Sequence, residues 1–161
     1  MFAFVRTVVY ASLFVALLLV LLPARLLEWS GVTRPPSLGG AQMVGGVLTL
    51  LGGLLALWCV LTFGTVGRGT PAPFDPPRRL VVGGPYRWVR NPMYLGAVVA
   101  LVGAAVFYGS AALGAYAVVF LALAHVFVVL WEEPALARTF GDDYRAYRES
   151  TRRWVPRWPA G

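Results

Sequence analysis

Apolar residues in this chain come in long blocks, instead of being spread evenly as in a water-facing domain. Thr7 to Leu27 is nearly continuous apolar sequence, long enough to cross a bilayer at about 20 residues. A signal peptide is the rival reading, but the run is long and Pro23, Arg25 and Glu28 follow with no small-residue cleavage site. A second block, about Gly40 to Phe63, is rich in Gly and Leu, and its small residues allow close helix contact. The third runs from about Pro92 to Tyr108 and the fourth from about Ala111 to Trp131. Gly109-Ser110 leaves room only for a tight turn, so the last two form an antiparallel hairpin. The pattern predicts an all-α integral membrane protein with about four transmembrane helices (7–27, 40–63, 92–108 and 111–131) in a single membrane domain, 1–161. Two polar segments, 64–91 and 132–161, are left outside the spans.

Composition supports lipid as the solvent: 58% of the 161 residues are hydrophobic and 13% charged, about half the charged share of a soluble domain. The net charge is +7, and every basic residue is arginine. A basic balance can signal nucleic acid, but no standard recognition motif is present. Arginine placement instead reports sidedness. Arg68, Arg78, Arg79, Arg87 and Arg90 lie between spans two and three, and Arg138, Arg145, Arg148, Arg152, Arg153 and Arg157 lie in the tail. By the positive-inside rule both segments face the cytoplasm, and four spans across the cell (inner) membrane put both termini there. The first loop, with Arg25 and Arg34 against Glu28, is a weak dissent. The lone Cys59 lies in an apolar run and reads as a small core residue.

Three polar constellations stand out. In "GGPYRWVRNPMYLG", Pro92 suits the first helical position and Asn91 the N-cap, so span three opens with free backbone N–H groups beside Arg87 and Arg90. That is either an anion site or an ordinary cap with snorkelling arginines and interfacial Tyr86, Trp88 and Tyr94. At the end of span four, His125 and the pair Glu132-Glu133 recur at helical spacing. Acidic residues at a helix C-terminus oppose its dipole and call for a compensating arginine or ligand. His125 is an ionisable group at membrane depth, open to function or to a hydrogen bond with a neighbouring helix. In "FGDDYRAYRESTRRWVP", Gly141 and Asp142 open a short amphipathic interfacial helix that is also placed to lid a site. No P-loop, dinucleotide fingerprint or HExxH occurs, and one histidine with one cysteine supports no metal site.

Taken together, "GPYRWVRNPMYLG", a helical hairpin and "EEPALARTFGDDYRAYRESTRRWVP" resemble the isoprenylcysteine carboxyl methyltransferase and phospholipid methyltransferase superfamily over about residues 78–156. The resemblance implies an integral membrane enzyme that uses S-adenosylmethionine at the cytoplasmic face, with 64–91 and 132–161 as its cofactor-binding segments. Carried over by position, the cofactor shell is Arg78, Arg79, Leu80, Val81, Tyr86, Arg90, Asn91, Pro92, Met93, Tyr94 and Glu132. The cofactor carboxylate suits the start of span three and its arginines, a glutamate suits ribose hydroxyls or the amino group, and Tyr86 and Tyr94 suit adenine or the sulfonium. Where the acceptor carries a proton, Glu133 or His125 is the candidate base.

Two departures limit the resemblance. Many members have His where this chain has Asn91, which caps but does not titrate. Prenylcysteine enzymes carry an arginine about one turn before the glutamates, where this chain has Val128. A lipid amine, a phenolic or quinone-like compound, or a small hydrophobic thiol therefore suits the apolar entrance better than a prenylcysteine carboxylate. The rivals are an NADPH-dependent membrane reductase of related architecture and a non-enzymatic scaffold whose arginines bind anionic lipid.

Overall fold

The computed structural model describes residues 15–32, 37–67 and 79–156, together with Val9 and Leu13. No strand occurs among the described residues. A wide π-helical stretch, Val15–Leu21, leads into helix α1 (Leu22–Trp29). Helix α2 (Gly40–Thr62) runs on through a second wide stretch, Phe63–Gly67. A 3-10 turn, Gly84–Arg87, precedes α3 (Pro92–Tyr108), and α4 (Ala111–Phe127) follows at once. A third wide stretch, Val128–Glu132, carries α4 into α5 (Glu133–Ser150). The continuous helices Gly40–Gly67 and Ala111–Ser150 are long and apolar enough to cross a membrane, and α3 is a shorter apolar helix.

Small residues set the contact between α2 and α3. A Cβ on Gly52 would lie 2.4 Å from the backbone nitrogen of Ala100, and one on Gly45 would lie 2.5 Å from that of Phe107. A Cβ on Gly103 or Gly96 would come within 2.4 or 2.8 Å of the backbone of α2. Only hydrogen fits there, and in lipid such intimate backbone approach replaces the missing hydrophobic drive. In the pairs Gly45-Gly46 and Gly52-Gly53 the first glycine faces α3, while Gly53 has open space around it. The stripe thus packs inside the bundle.

The α3–α4 hairpin closes through Gly109 in the left-handed conformation (φ 62°) and Ser110, whose hydroxyl caps α4 by accepting from the Leu113 N–H. Ala97 and Leu101 of α3 pack with Ala117 and Phe120 of α4, and Leu18 and Leu19 cover them. The Tyr116 hydroxyl donates to the Leu18 carbonyl at 2.9 Å and ties the first helical stretch to the hairpin. Outside this core, Leu50, Leu54 and Leu57 of α2 and Val118, Val119 and Leu123 of α4 stand exposed, an apolar flank suited to lipid.

The expected short helix starting at Gly141 is instead the second half of a bent element. Gly141 adopts φ 51°, ψ −119° inside α5, backbone that residues with a Cβ rarely reach. The bend follows a first half that begins at Glu133, and the second half buries Tyr144 and Tyr147 while Asp142, Asp143, Arg145 and Arg148 stay exposed.

Candidate functional site

The site gathers at one end of the bundle, where α3 begins and α4 gives way to α5. Pro92 occupies the first turn of α3, and Asn91 sits at its N-cap. Its side chain does not cap the helix: Nδ2 donates instead to the Arg153 carbonyl at 3.2 Å. The first helical bond is Leu95 N–H to the Asn91 carbonyl, so the amides of Met93 and Tyr94 have no partner within the helix. With Asn91 drawn to the tail, its side chain caps none of the first amides of α3.

The wide turn Val128–Glu132 sends the two adjacent glutamates to different neighbours. Such turns add a residue to the helical repeat and recur at functional sites. Glu132 Oε2 accepts from the Tyr94 hydroxyl at 3.3 Å. Glu133 is buried and held by two arginines. Its Oε1 accepts from Arg90 Nη2 at 2.8 Å and Arg153 Nε at 2.7 Å, and its Oε2 accepts from Arg153 Nη2 at 2.8 Å. Arg90 Nη1 donates to the carbonyls of Arg148 and Thr151, and its backbone N–H donates to the Arg152 carbonyl. Residues 151–156 therefore form a strap, pinned across the start of α3. Tyr147 adds a further tie by donating to the Tyr86 carbonyl at 2.7 Å.

These environments separate the glutamates chemically. Burial pushes the Glu132 carboxyl up to about 7, with the Tyr94 hydrogen bond opposing and the Glu133 charge adding to it. Burial also acts on Glu133, but the hydrogen bonds and charges of Arg153 and Arg90 outweigh it and hold the carboxyl below its ordinary range. Burial, the largest cause, together with nearby Cys59 and Glu132, drives the Tyr86 phenol well above its ordinary range. Tyr86 is a neutral wall.

Two adjoining clefts flank this arrangement. One, of about 260 Å³, is lined by Phe63, Tyr86, Arg90, Asn91, Met93, Tyr94 and Glu132. The other, of about 230 Å³, shares Arg90, Asn91 and Glu132 and adds Val128, Glu133, Leu136, Tyr144 and Tyr147. Arg90 lines both, and its buried Nε has no partner among the described residues.

Six of the expected cofactor residues thus meet at one cleft: Tyr86, Arg90, Asn91, Met93, Tyr94 and Glu132. Pro92 is buried beside it as the first residue of α3, and Val81 is buried under Tyr86 with Cys59. Leu80 is half-buried, Arg79 is exposed and Arg78 lies outside the described residues. Both candidate bases are engaged in hydrogen bonds. Glu133 already accepts three arginine hydrogen bonds, so its oxygens are committed to an ion cluster. His125 Nδ1 accepts the indole N–H of Trp154 at 2.9 Å, so the lone pair a base would use is taken. Arg90 is likewise committed to Glu133 and the strap instead of standing free for an anion. Sequence reading missed Phe63 as a wall and the strap residues Arg153 and Trp154; the late "RRWVP" was the only sign of the strap.

No group of three or more metal-ligating side chains stands together among the described residues. A family model for phospholipid methyltransferase matches residues 41–143. No curated protein matches, and no solved structure does. The matched stretch runs from α2 through the hairpin and the glutamate pair to just past the Gly141 bend, which is the frame of the cleft; the chain belongs to the phospholipid methyltransferase family, a family of membrane methyltransferases within the isoprenylcysteine carboxyl methyltransferase-like superfamily.

Proposed function

We propose that the chain is an S-adenosylmethionine-dependent methyltransferase that acts on a lipid-like or small hydrophobic acceptor at the cytoplasmic membrane face. The observation that carries this reading is the cleft itself. A carboxylate paired with a neutral tyrosine, an aromatic wall and an uncapped helix start converge there. Glu132 attracts a cation or accepts from hydroxyl or amino groups, and Tyr94 and Tyr86 offer ring faces to a sulfonium. The Met93 and Tyr94 amides suit a carboxylate, and Phe63, Met93 and Tyr86 form an apolar bed for a base.

S-adenosylmethionine, when bound, supplies an electrophilic methyl group. The chain's task is to align that group with the acceptor and exclude water. The strap and the buried face of α5 close the cleft from the polar side. In this reading Glu133 holds Arg90 and the strap in place, and neither it nor His125 takes a proton. The topology proposed with this function has four spans, an interfacial second half of α5, and both termini and the polar segments 64–91 and 132–161 in the cytoplasm. The single domain then presents its cleft where the soluble cofactor is available.

Calorimetry on detergent-purified chain tests the reading. Saturable binding of S-adenosylmethionine and none of NADPH is expected. Glu132→Ala should weaken that binding about tenfold or more, roughly 1.4 kcal/mol, with thermal unfolding unchanged. Affinity should also fall as pH drops through about 7, where Glu132 takes up its proton, and that dependence should vanish in Glu132→Gln. Absence of S-adenosylmethionine binding overturns the proposal.

A further inference from the structure

Glu132 pairs with no cation among the described residues; what holds it is the Tyr94 hydroxyl, donating to Oε2 at 3.3 Å. Hydrogen bonds between oxygens are usually about 2.7–2.8 Å long, so this one breaks if the ring moves by a few tenths of an ångström. Something has to keep the ring in place.

The strap does so. Trp154 meets the Tyr94 ring edge to face, with centroids 6.4 Å apart and planes at 63°. Trp154 is itself pinned from two sides. Its indole N–H donates to His125 Nδ1 at 2.9 Å, and Arg153 just before it donates to both Glu133 oxygens while its carbonyl accepts from Asn91. An indole nitrogen only donates, so its anchor on α4 must offer a lone pair. In that largely apolar helix, His125 supplies it. Adjacent strap residues thus serve adjacent glutamates: Arg153 holds Glu133 directly, and Trp154 reaches Glu132 through Tyr94.

We propose that Trp154 is a positioning residue for Glu132, fixing the Tyr94 ring so that the phenol holds Oε2 and Oε1 is left to a ligand in the cleft. The strap is then part of the cleft's recognition as well as its cover. The placement of Glu132 stands on geometry; its effect on S-adenosylmethionine rests on the methyltransferase reading.

Loss of the Tyr94 bond has a titratable signature. Glu132 is faced by Tyr94 of α3, Tyr86 of the 3-10 turn, and Glu133 and Tyr144 of α5. Arg90 lines the same cleft but is spent on Glu133, and α2 runs on to contribute Phe63. Burial raises the Glu132 carboxyl to about 7, and the Tyr94 bond opposes that rise while the Glu133 charge adds to it. Of these influences, the Tyr94 bond is the one that depends on Trp154. Releasing the ring therefore favours the protonated acid.

The test follows the Glu132 titration midpoint in the full, ligand-free chain in detergent, by carbon NMR of labelled glutamate carboxyls. Of the chain's four glutamates, the Glu132 signal is the one missing in Glu132→Gln. An edge-to-face ring pair is worth about two- to tenfold in an equilibrium. Trp154→Leu should therefore raise the proton affinity of Glu132 about two- to tenfold, a midpoint up to about one pH unit higher. His125→Leu, which leaves the strap sequence intact, should shift it the same way. Tyr94→Phe should shift it at least as far, and Trp154→Leu should add nothing in the Tyr94→Phe background. The Glu133 signal should stay in place throughout. No shift in Trp154→Leu or His125→Leu, a shift that adds to that of Tyr94→Phe, or a Glu133 signal that moves as well overturns the proposal. Calorimetry with S-adenosylmethionine at pH 7 separates the two readings. Binding by Trp154→Leu that weakens in step with the lost ionised fraction supports the role in recognition, and unchanged affinity despite the shifted midpoint overturns it. The expected shifts in a chain that binds no S-adenosylmethionine overturn the proposed function and leave the positioning of Glu132 standing.

Discussion

Glu132 and Glu133 are neighbours in sequence with opposite fates, and the difference lies in what each meets. Glu132 faces a neutral phenol and the cleft; Glu133 is enclosed by two guanidinium groups. Removing one partner of a buried ion cluster leaves the others uncompensated. Glu133→Gln should therefore cost on the order of 3–5 kcal/mol of stability, read as a lower melting temperature in detergent. The pH dependence follows from the depressed folded-state pKa of Glu133. Its stabilisation is fully present above the ordinary carboxylate value of 4.5 and is lost as pH falls through the lower folded value. Melting curves between neutral and acid pH should show that loss in the unaltered chain and not in Glu133→Gln.

Among the elements, the α2–α3 pair depends most directly on single atoms. A Cβ on Gly52 would meet the Ala100 nitrogen at 2.4 Å and the Gly96 carbonyl at 2.5 Å, and both are backbone atoms that cannot turn aside. Gly52→Ala should force the helices apart and destabilise the chain by about 1–3 kcal/mol. Gly53→Ala meets nothing within 4 Å and should be neutral or mildly stabilising, since alanine favours helix over glycine by up to about 1 kcal/mol. Comparing the two melting temperatures checks whether close contact, and not glycine content, holds the pair. Because α3 carries Asn91 to Tyr94 at its start and α2 runs on to Phe63, the same contact sets the width of the cleft.

At the scale of the molecule, the proposed sidedness has a clean chemical assay. Cys59 is the chain's one cysteine and is fully buried, so thiol labelling starts from a silent background. Ala111→Cys at the hairpin turn and Arg138→Cys on α5 replace exposed residues at opposite ends of α4. A membrane-impermeant maleimide should reach position 111 in right-side-out vesicles and position 138 only in inverted ones. Labelling of both positions from one side would remove the four-span cytoplasmic topology.

The order of apolar blocks was enough to predict the helices, the hairpin and the Gly-rich contact surface, because chain in lipid must satisfy its backbone within helices. That Tyr86, Asn91, Met93, Tyr94 and Glu132 would gather was also anticipated, since motif spacing survives without coordinates. Which glutamate stays open could not be read there. Adjacent residues on a helix point about a quarter-turn apart, and a wide turn whose sequence reads as ordinary apolar helix shifts that angle further. Nor did the sequence reveal that Asn91 abandons its cap for the strap, or that Arg90 and Arg153 join on Glu133. Those choices depend on contacts between residues 20 to 62 positions apart, made only when the strap folds back across the start of α3.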